Sequence, residues 1–153
     1  MTTSTATRRT DSLRLLEQEV GVMIRRIRRV LWERARGVHP DLQPSGYLML
    51  AYLADHGATR GSGVAEALAI DKGAVSRQLH HLVELGLADR TPDPDDGRAT
   101  LVSASADAVE RITSVTEERR RWLDERLGDW TDAELSDFAT VLGRYNAALD
   151  ERA

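Results

Sequence analysis

Apolar residues at Leu13, Leu16, Val20, Met23, Ile27 and Val30 step by three and four along the first part of the chain. That is the spacing of a helix pressing one seam against other helices. It predicts a helix from Asp11 to about Arg36, ended by Gly37, His39 and Pro40. Residues 42–56 read as a shorter helix, with Pro44 at its first position, an apolar face of Tyr47, Leu48, Leu50, Ala51 and Leu53, and Gly57 as its stop. A third helix covers Val64 to Ala69, Ile70 and Asp71 turn, and a fourth runs from Lys72 to Leu85 before Gly86. Val75, Leu79, Leu82 and Val83 form the inward set of this fourth helix. Lys72, Gly73, Ser76, Arg77, Gln78, His80 and His81 form an outer side rich in hydrogen-bond donors.

The period then changes from helical to alternating. Leu87 to Thr91 and Thr100 to Ser103 read as two short strands, and Asp96-Gly97 between them is a hairpin-turn signal. The last third is helical again, from Ala106 to about Leu127 with Val109, Ile112, Val115, Trp122 and Leu123 as apolar points. Gly128 breaks it. Thr131-Asp132-Ala133-Glu134 is a capping box that opens a final helix carrying Leu135, Phe138, Leu142, Tyr145 and Leu149. The fold class expected is all-α with a small β-hairpin.

A short helix, a tight turn and a second helix with a donor-rich outer side make a helix-turn-helix, in which one helix braces the other for a major groove ~12 Å wide. Residues four apart share a helix face. Lys72, Ser76 and His80 therefore form one row, and Gly73, Arg77 and His81 the next. Arg77 suits a guanine edge or a phosphate, Gln78 an adenine, and Ser76 either. Lys72, the one lysine beside twenty arginines, sits at the helix start, where free amides also favour phosphate. The hairpin is a wing: Arg98, just past its turn, suits the narrow and negative minor groove, with Asp96 expected to hold it. Arg90, on the first strand of the wing, completes the DNA-binding set.

Charge restricts how such a surface can work. The chain carries a net charge of -4, whereas a basic domain is the usual footprint of a nucleic-acid binder. Residues 1–36 hold nine arginines against four acids, residues 61–104 four cations against seven acids, and residues 105–153 seven against twelve. DNA contact must come from a few cations gathered on one face. The arginine pairs Arg25-Arg26 and Arg28-Arg29 fit either a solvated helix face or phosphate contact. With no cysteine, disulfides, thiolate metal sites and thiol switches are excluded. His39, His56, His80 and His81 lack the spacing of a metal site, and no nucleophile elbow, phosphate loop or zinc-protease motif appears, so no metal and no enzyme activity are expected. No apolar run reaches the ~20 residues of a membrane span, and Met1 to Thr10 lacks the apolar stretch of a secretory signal. A cytoplasmic, nucleoid-associated location is expected, with residues 1–10 as a flexible tail.

Three runs carry a resemblance: Asp71-Lys72-Gly73-Ala74-Val75-Ser76-Arg77-Gln78-Leu79, Leu82-Val83-Glu84-Leu85-Gly86-Leu87-Ala88-Asp89-Arg90, and Asp93-Pro94-Asp95-Asp96-Gly97-Arg98-Ala99. Together they resemble the signature of the MarR family of winged helix-turn-helix regulators, and the order of elements extends the likeness over Asp11 to Arg152. The resemblance implies one domain over residues 11–153. Within it a DNA-binding lobe, 42–104, would be carried on dimerisation helices, 11–36 and 105–153. It implies a homodimer on double-stranded, pseudo-palindromic operator DNA, acting as a repressor, needing no cofactor and relieved by a small aromatic or phenolic ligand. Trp32, His39 and Tyr47 lie where the ligand cleft of such a dimer would be. The alternatives are a ligand-insensitive architectural DNA-binding protein and a helical interaction protein that binds no DNA. Three positions depart from the family pattern. The wing keeps a single arginine at its tip, Val102-Ser103-Ala104-Ser105-Ala106 lacks the usual glycine, and Gln43 stands where a threonine cap is common.

Overall fold

Neither glycine nor proline interrupts the chain before Gly21, so nothing stops a helix from propagating through its first part. In the structure, a computed structural model describing residues 2–150 and side chains from residue 7 onward, helix α1 accordingly runs Thr2–Val38. The segment expected as a tail over 1–10 is therefore helical from Thr2, while Met1 lies outside the described residues. Helix α2 (Pro44–His56), strand β1 (Thr59–Arg60), helices α3 (Gly61–Leu68) and α4 (Lys72–Glu84), strands β2 (Ala88–Asp93) and β3 (Asp96–Ala104), and helices α5 (Ala106–Arg126) and α6 (Asp132–Asp150) follow. The chain divides into two compact units at Val115/Thr116. Among the described residues no helix is long and apolar enough to cross a membrane.

The first unit owns the core. Leu42, Met49, Leu50 and Leu53 from the α2 region, Val64 and Ala65 from α3, Val75, Leu79 and Leu82 from α4, and Leu87, Ala88 and Val102 from the sheet are buried together. The end of α1 adds Ala35 and Val38, and the start of α5 adds Ala108 and Ile112. Arg111 ties these two ends, its guanidinium donating to the Val38 carbonyl at 3.0 Å. The α2 face differs by one position from the pattern read in the sequence: Met49 is buried and Leu48 is exposed. Met49 shares the helical face of Gly46, Leu50 and Leu53, three and four positions apart, whereas Leu48 lies off it.

Helix α3 begins at Gly61, ahead of the expected Val64, and Ala69 ends it in the left-handed region at φ 52°. The Ala69 amide reaches the Glu66 carbonyl at 3.3 Å and the Ile70 amide reaches Ala65 at 3.0 Å, the bonding that closes a helix into a reversal. Asp71 then caps α4, accepting from the Ala74 amide at 3.1 Å. The tight turn of the helix-turn-helix is thus the Ala69 C-cap and the Asp71 N-cap with Ile70 alone between them.

A third strand escaped the sequence reading. Thr59 and Arg60 pair with Val102 and Leu101, so the sheet order is β1-β3-β2. The hairpin turn also lies two residues earlier than the Asp96-Gly97 signal suggested: Pro94 and Asp95 make it, and Asp96 and Gly97 belong to β3. Pro94 presets the backbone angle of a turn's second residue, and Asp93 before it accepts from the Asp95 amide at 2.9 Å. Gly97 is therefore not required at positive φ, and only Gly57 and Gly86 among the described glycines adopt it.

In the second unit, the capping box forms as its residues predict. The Thr131 amide donates to Glu134 Oε2 at 2.8 Å and the Glu134 amide to Thr131 Oγ1 at 3.2 Å. Helix α6 buries no residue fully, and Leu135, Phe138, Val141 and Leu149 are exposed along it.

Helix α2 has no such device. Gln43 takes the extended N-cap conformation but its side chain caps nothing. Replacing Gln43 by Ser is expected to stabilise the fold by ~1 kcal/mol and raise the midpoint of a thermal melt by about 2–4 °C.

Candidate nucleic-acid interface

The burial of Val75, Leu79 and Leu82 fixes the rotation of α4, because a helix presents its opposite side a half-turn away. Lys72, Gly73, Ser76, Arg77 and His80 are exposed as a result. Among the described residues Lys72, Ser76 and Arg77 make no side-chain ion pair or hydrogen bond. Gly73 keeps the surface low: a Cβ there would stand 3.6 Å from Arg77 Nη1 and 3.0 Å from Asp71 Oδ2.

The far end of the predicted row differs. Gln78 is half-buried, and its Oε1 is enclosed without a donor beside Gly46 of α2. His80 Nε2 stands 3.3 Å from Glu84 Oε1, and His81 Nδ1 stands 3.7 Å from Glu84 Oε2. The open part of α4 is therefore its first two turns, 72–77, and the histidines sit beside an acid from the same helix. The sequence pattern places those residues on the outer side but is blind to which of them a neighbour engages.

The wing supplies two further cations. Arg90 on β2 is exposed and lies opposite Val102 of β3. Between Pro92↔Thr100 and Asp93↔Asp96 the register jumps, leaving Gly97, Arg98 and Ala99 without cross-strand partners. Such a bulge bends the strand and re-aims a side chain. Arg98 lies within this unpaired stretch and is exposed. Asp96 Oδ1 accepts from the Arg98 backbone amide at 3.1 Å. No ion pair among the described residues engages the Arg98 guanidinium.

Between α4 and the wing lies a cleft of about 310 Å³. Lys72, Ser76 and Arg90 rim it with Ser62 and Thr100, and Val75, Leu79 and Val102 form its floor. Ser62 and Thr100 are not in the DNA-binding set expected from the sequence, since each is an ordinary polar residue that only the fold brings to this rim.

The residues expected for a ligand have other duties. Tyr47 is 4% exposed, inside the core. The His39 Nδ1 accepts from the Asp41 amide at 3.1 Å in the turn after α1. Trp32 is exposed on α1, with the Arg36 guanidinium 5.9 Å from its ring centre.

The wing's acids are not simply solvated. Asp93 is the one buried charged residue among those described, at 6% exposure. The Arg60 Nε, from β1, donates to Asp93 Oδ2 at 2.6 Å, and Arg60 Nη2 stands 3.9 Å from Asp96 Oδ2. The Asp95 amide, and next the Arg60 guanidinium, hold the Asp93 carboxyl below its ordinary range. Asp93 in turn holds the Arg60 guanidinium above its own.

Comparisons with known proteins converge. A profile described as the MarR family matches residues 41–99, from just before α2 into β3 of the wing. The chain is 31% identical over 117 residues to the HTH-type transcriptional regulator ML2140 of Mycobacterium leprae, covering 76% of this chain and 80% of that one. It is 29% identical over 139 residues to the HTH-type transcriptional regulator YxaD of Bacillus subtilis, covering 91% and 96%. The crystal structure of apo wild-type MarR from E. coli shares the fold with a TM-score of 0.67 at 20% identity, covering 85% of this chain and 96% of that chain.

A carboxylate whose folded pKa is depressed contributes stability that is complete above its unfolded value, about 3.9 for Asp, and is lost as pH falls through the folded value. Acidification below the ordinary carboxylate range, through the lowered folded value of Asp93, is therefore expected to release the wing turn, lowering the hydrogen-exchange protection of the Asp95 amide relative to its intrinsic rate. In Asp93→Asn that exchange should no longer follow the carboxylate titration, as NMR across pH 6 to 2 would report.

Proposed function

The chain belongs to the MarR family of DNA-binding transcriptional regulators, and from that premise we propose that it works as a homodimeric repressor of a pseudo-palindromic operator, relieved by a small aromatic acid. The observation that carries this reading is the open first half of α4: Lys72, Ser76 and Arg77 are exposed without side-chain partners among the described residues, flanked by Arg90 and Arg98. In this reading α4 enters the major groove. Arg77 makes a bidentate contact to a guanine edge, Ser76 a second base or phosphate contact, and Lys72 a phosphate contact at the helix start. Gly73 lets the backbone approach. Arg98 enters the adjacent minor groove. Gln78, His80 and His81 are secondary, the histidines having to leave Glu84 first.

Dimerisation supplies the symmetry. Leu13, Leu16 and Ile27 on α1, and Leu135, Phe138 and Leu149 on α6, are exposed in the single chain. Their burial against a second copy would gain roughly 25 cal/mol per Å² of apolar surface. Two α4 helices would then enter major grooves about one turn, ~10 bp, apart. The cleft rimmed by Lys72, Ser76 and Arg90 has an apolar floor and cationic edges, which suit an aromatic carboxylate. An occupant there would cover the α4 face that DNA needs, so ligand and operator would compete.

The test uses a duplex selected by the protein from a randomised pool. Binding should show two chains per duplex and an affinity that falls steeply with salt, since phosphate contacts release counterions. Salt-independent binding, or none, overturns the reading. Gel-shift and thermal-shift screening of aromatic acids tests relief; a ligand-insensitive architectural protein would keep its duplex throughout. Replacing Arg77 by Ala is expected to cost ~1–3 kcal/mol of operator binding and to relax base choice at one position, read by comparing single-base variants of the selected site.

A further inference from the structure

Arg60 stands where two parts of the lobe meet. It is the last residue of β1, paired opposite Leu101, and also the N-cap residue of α3. Its backbone is thus held by the sheet and by the helix-turn-helix at once. Its side chain reaches the wing turn 33 residues away, donating to Asp93 at one end of the turn and approaching Asp96 at the other.

We propose that Arg60 is the positioning residue of the wing: it clamps the Asp93–Asp96 turn onto the start of α3, and so aims Arg98 at DNA while neutralising acids that would repel it. This rests on the reading that Arg98 reaches the duplex. The charges make the requirement concrete. Without Arg60 the turn region carries Asp93, Asp95 and Asp96 against Arg98 alone, a net negative tip facing a polyanion. With Arg60 in place, Asp93 and Asp96 both face a cation from within the protein, and the unpaired guanidinium at the tip is that of Arg98. The fork geometry of the guanidinium is what allows one side chain to address two carboxylates. The shifts of both partners toward their charged forms agree with this arrangement. Nothing in the local sequence marks Arg60, because its partners are distant and lie across a strand that only folding brings alongside.

The side chain of Arg60 is 46% exposed, so the competing role is direct contact with phosphate. A double-mutant cycle separates the two on a fluorescein-labelled duplex selected from a randomised pool. If Arg60 acts through the wing, Arg60→Ala and Arg98→Ala should each weaken binding about tenfold, and the double variant should lose little more than either alone. Additive losses overturn the proposal. The variant Asp93→Ala gives an independent sign. Removing an acid while freeing Arg60 would tighten binding if Arg60 contacted phosphate, but loss of the clamp should weaken it. Tighter or unchanged binding by Asp93→Ala therefore overturns the proposal too. Arg60→Lys, which keeps the charge but not the fork, should recover only part of the affinity. Circular-dichroism melts of each variant, showing a folded lobe at the binding temperature, tie these losses to wing position rather than unfolding. Arg98→Ala binding as well as wild type would instead defeat the reading that the wing touches DNA, leaving the cause of failure unambiguous.

Discussion

Burying Val75, Leu79 and Leu82 under α4 is the constraint from which the proposed DNA-binding surface follows. Because helix geometry ties each side chain's direction to its neighbours', sinking those three into a core shared with α2, α3 and the sheet leaves Lys72, Ser76 and Arg77 facing solvent. The Ala69 reversal and the Asp71 cap fix where α4 begins, so its first turn cannot slide along the core. Specificity in a groove needs this kind of rigidity, since a base contact is lost when its side chain is displaced by an ångström or two.

The wing is positioned by different physics. It has little core of its own: Ala88, Val102 and Asp93 are its buried members. Its turn is held instead by a proline, an aspartate accepting from the turn amide, and a cation from β1. A register jump then leaves Arg98 unpaired on the β3 side. Hydrophobic burial thus orients α4, and polar contacts hold the wing turn.

Local signals made much of this legible. The inward set of α4, the Pro44 start, the Gly57 stop and the Thr131–Glu134 capping box all depend on residues within one or two helical turns, and all are found. What the sequence did not reveal depends on distance or competition. Strand β1 is two residues long and exists only because β3 lies beside it. The turn falls at Pro94-Asp95, two residues upstream of the Asp96-Gly97 signal, where Pro94 presets the backbone angle and Asp93 is held by Arg60 from a distant strand. The pairing of Arg60 with Asp93 spans 33 residues, and the engagement of His80 and His81 by Glu84 depends on rotamers that periodicity does not encode. The residues expected for a ligand were chosen by analogy of position, and the buried place of Tyr47 reflects the core's demand for a large apolar body.

A net charge of -4 is compatible with a polyanionic partner because of where the acids stand. Ten of the 25 lie in residues 116–153, outside the compact unit that carries α4 and the wing. Within the lobe, Asp71 is spent on a cap, Glu84 lies beside two histidines at the far end of α4, and Asp93 and Asp96 face Arg60. Coulomb attraction between exposed groups fades over a Debye length of about 8–10 Å in physiological salt, so the field at the first turns of α4 is set by near neighbours rather than by the total. Lys72, Arg77, Arg90 and Arg98 are exposed there, while Asp71 caps α4 and Asp93 and Asp96 face Arg60, leaving Asp89 and Asp95 as the nearby exposed acids without such a role. A protein can therefore be acidic as a whole and cationic over the few square nanometres that matter, provided its structural carboxylates find their partners within the chain.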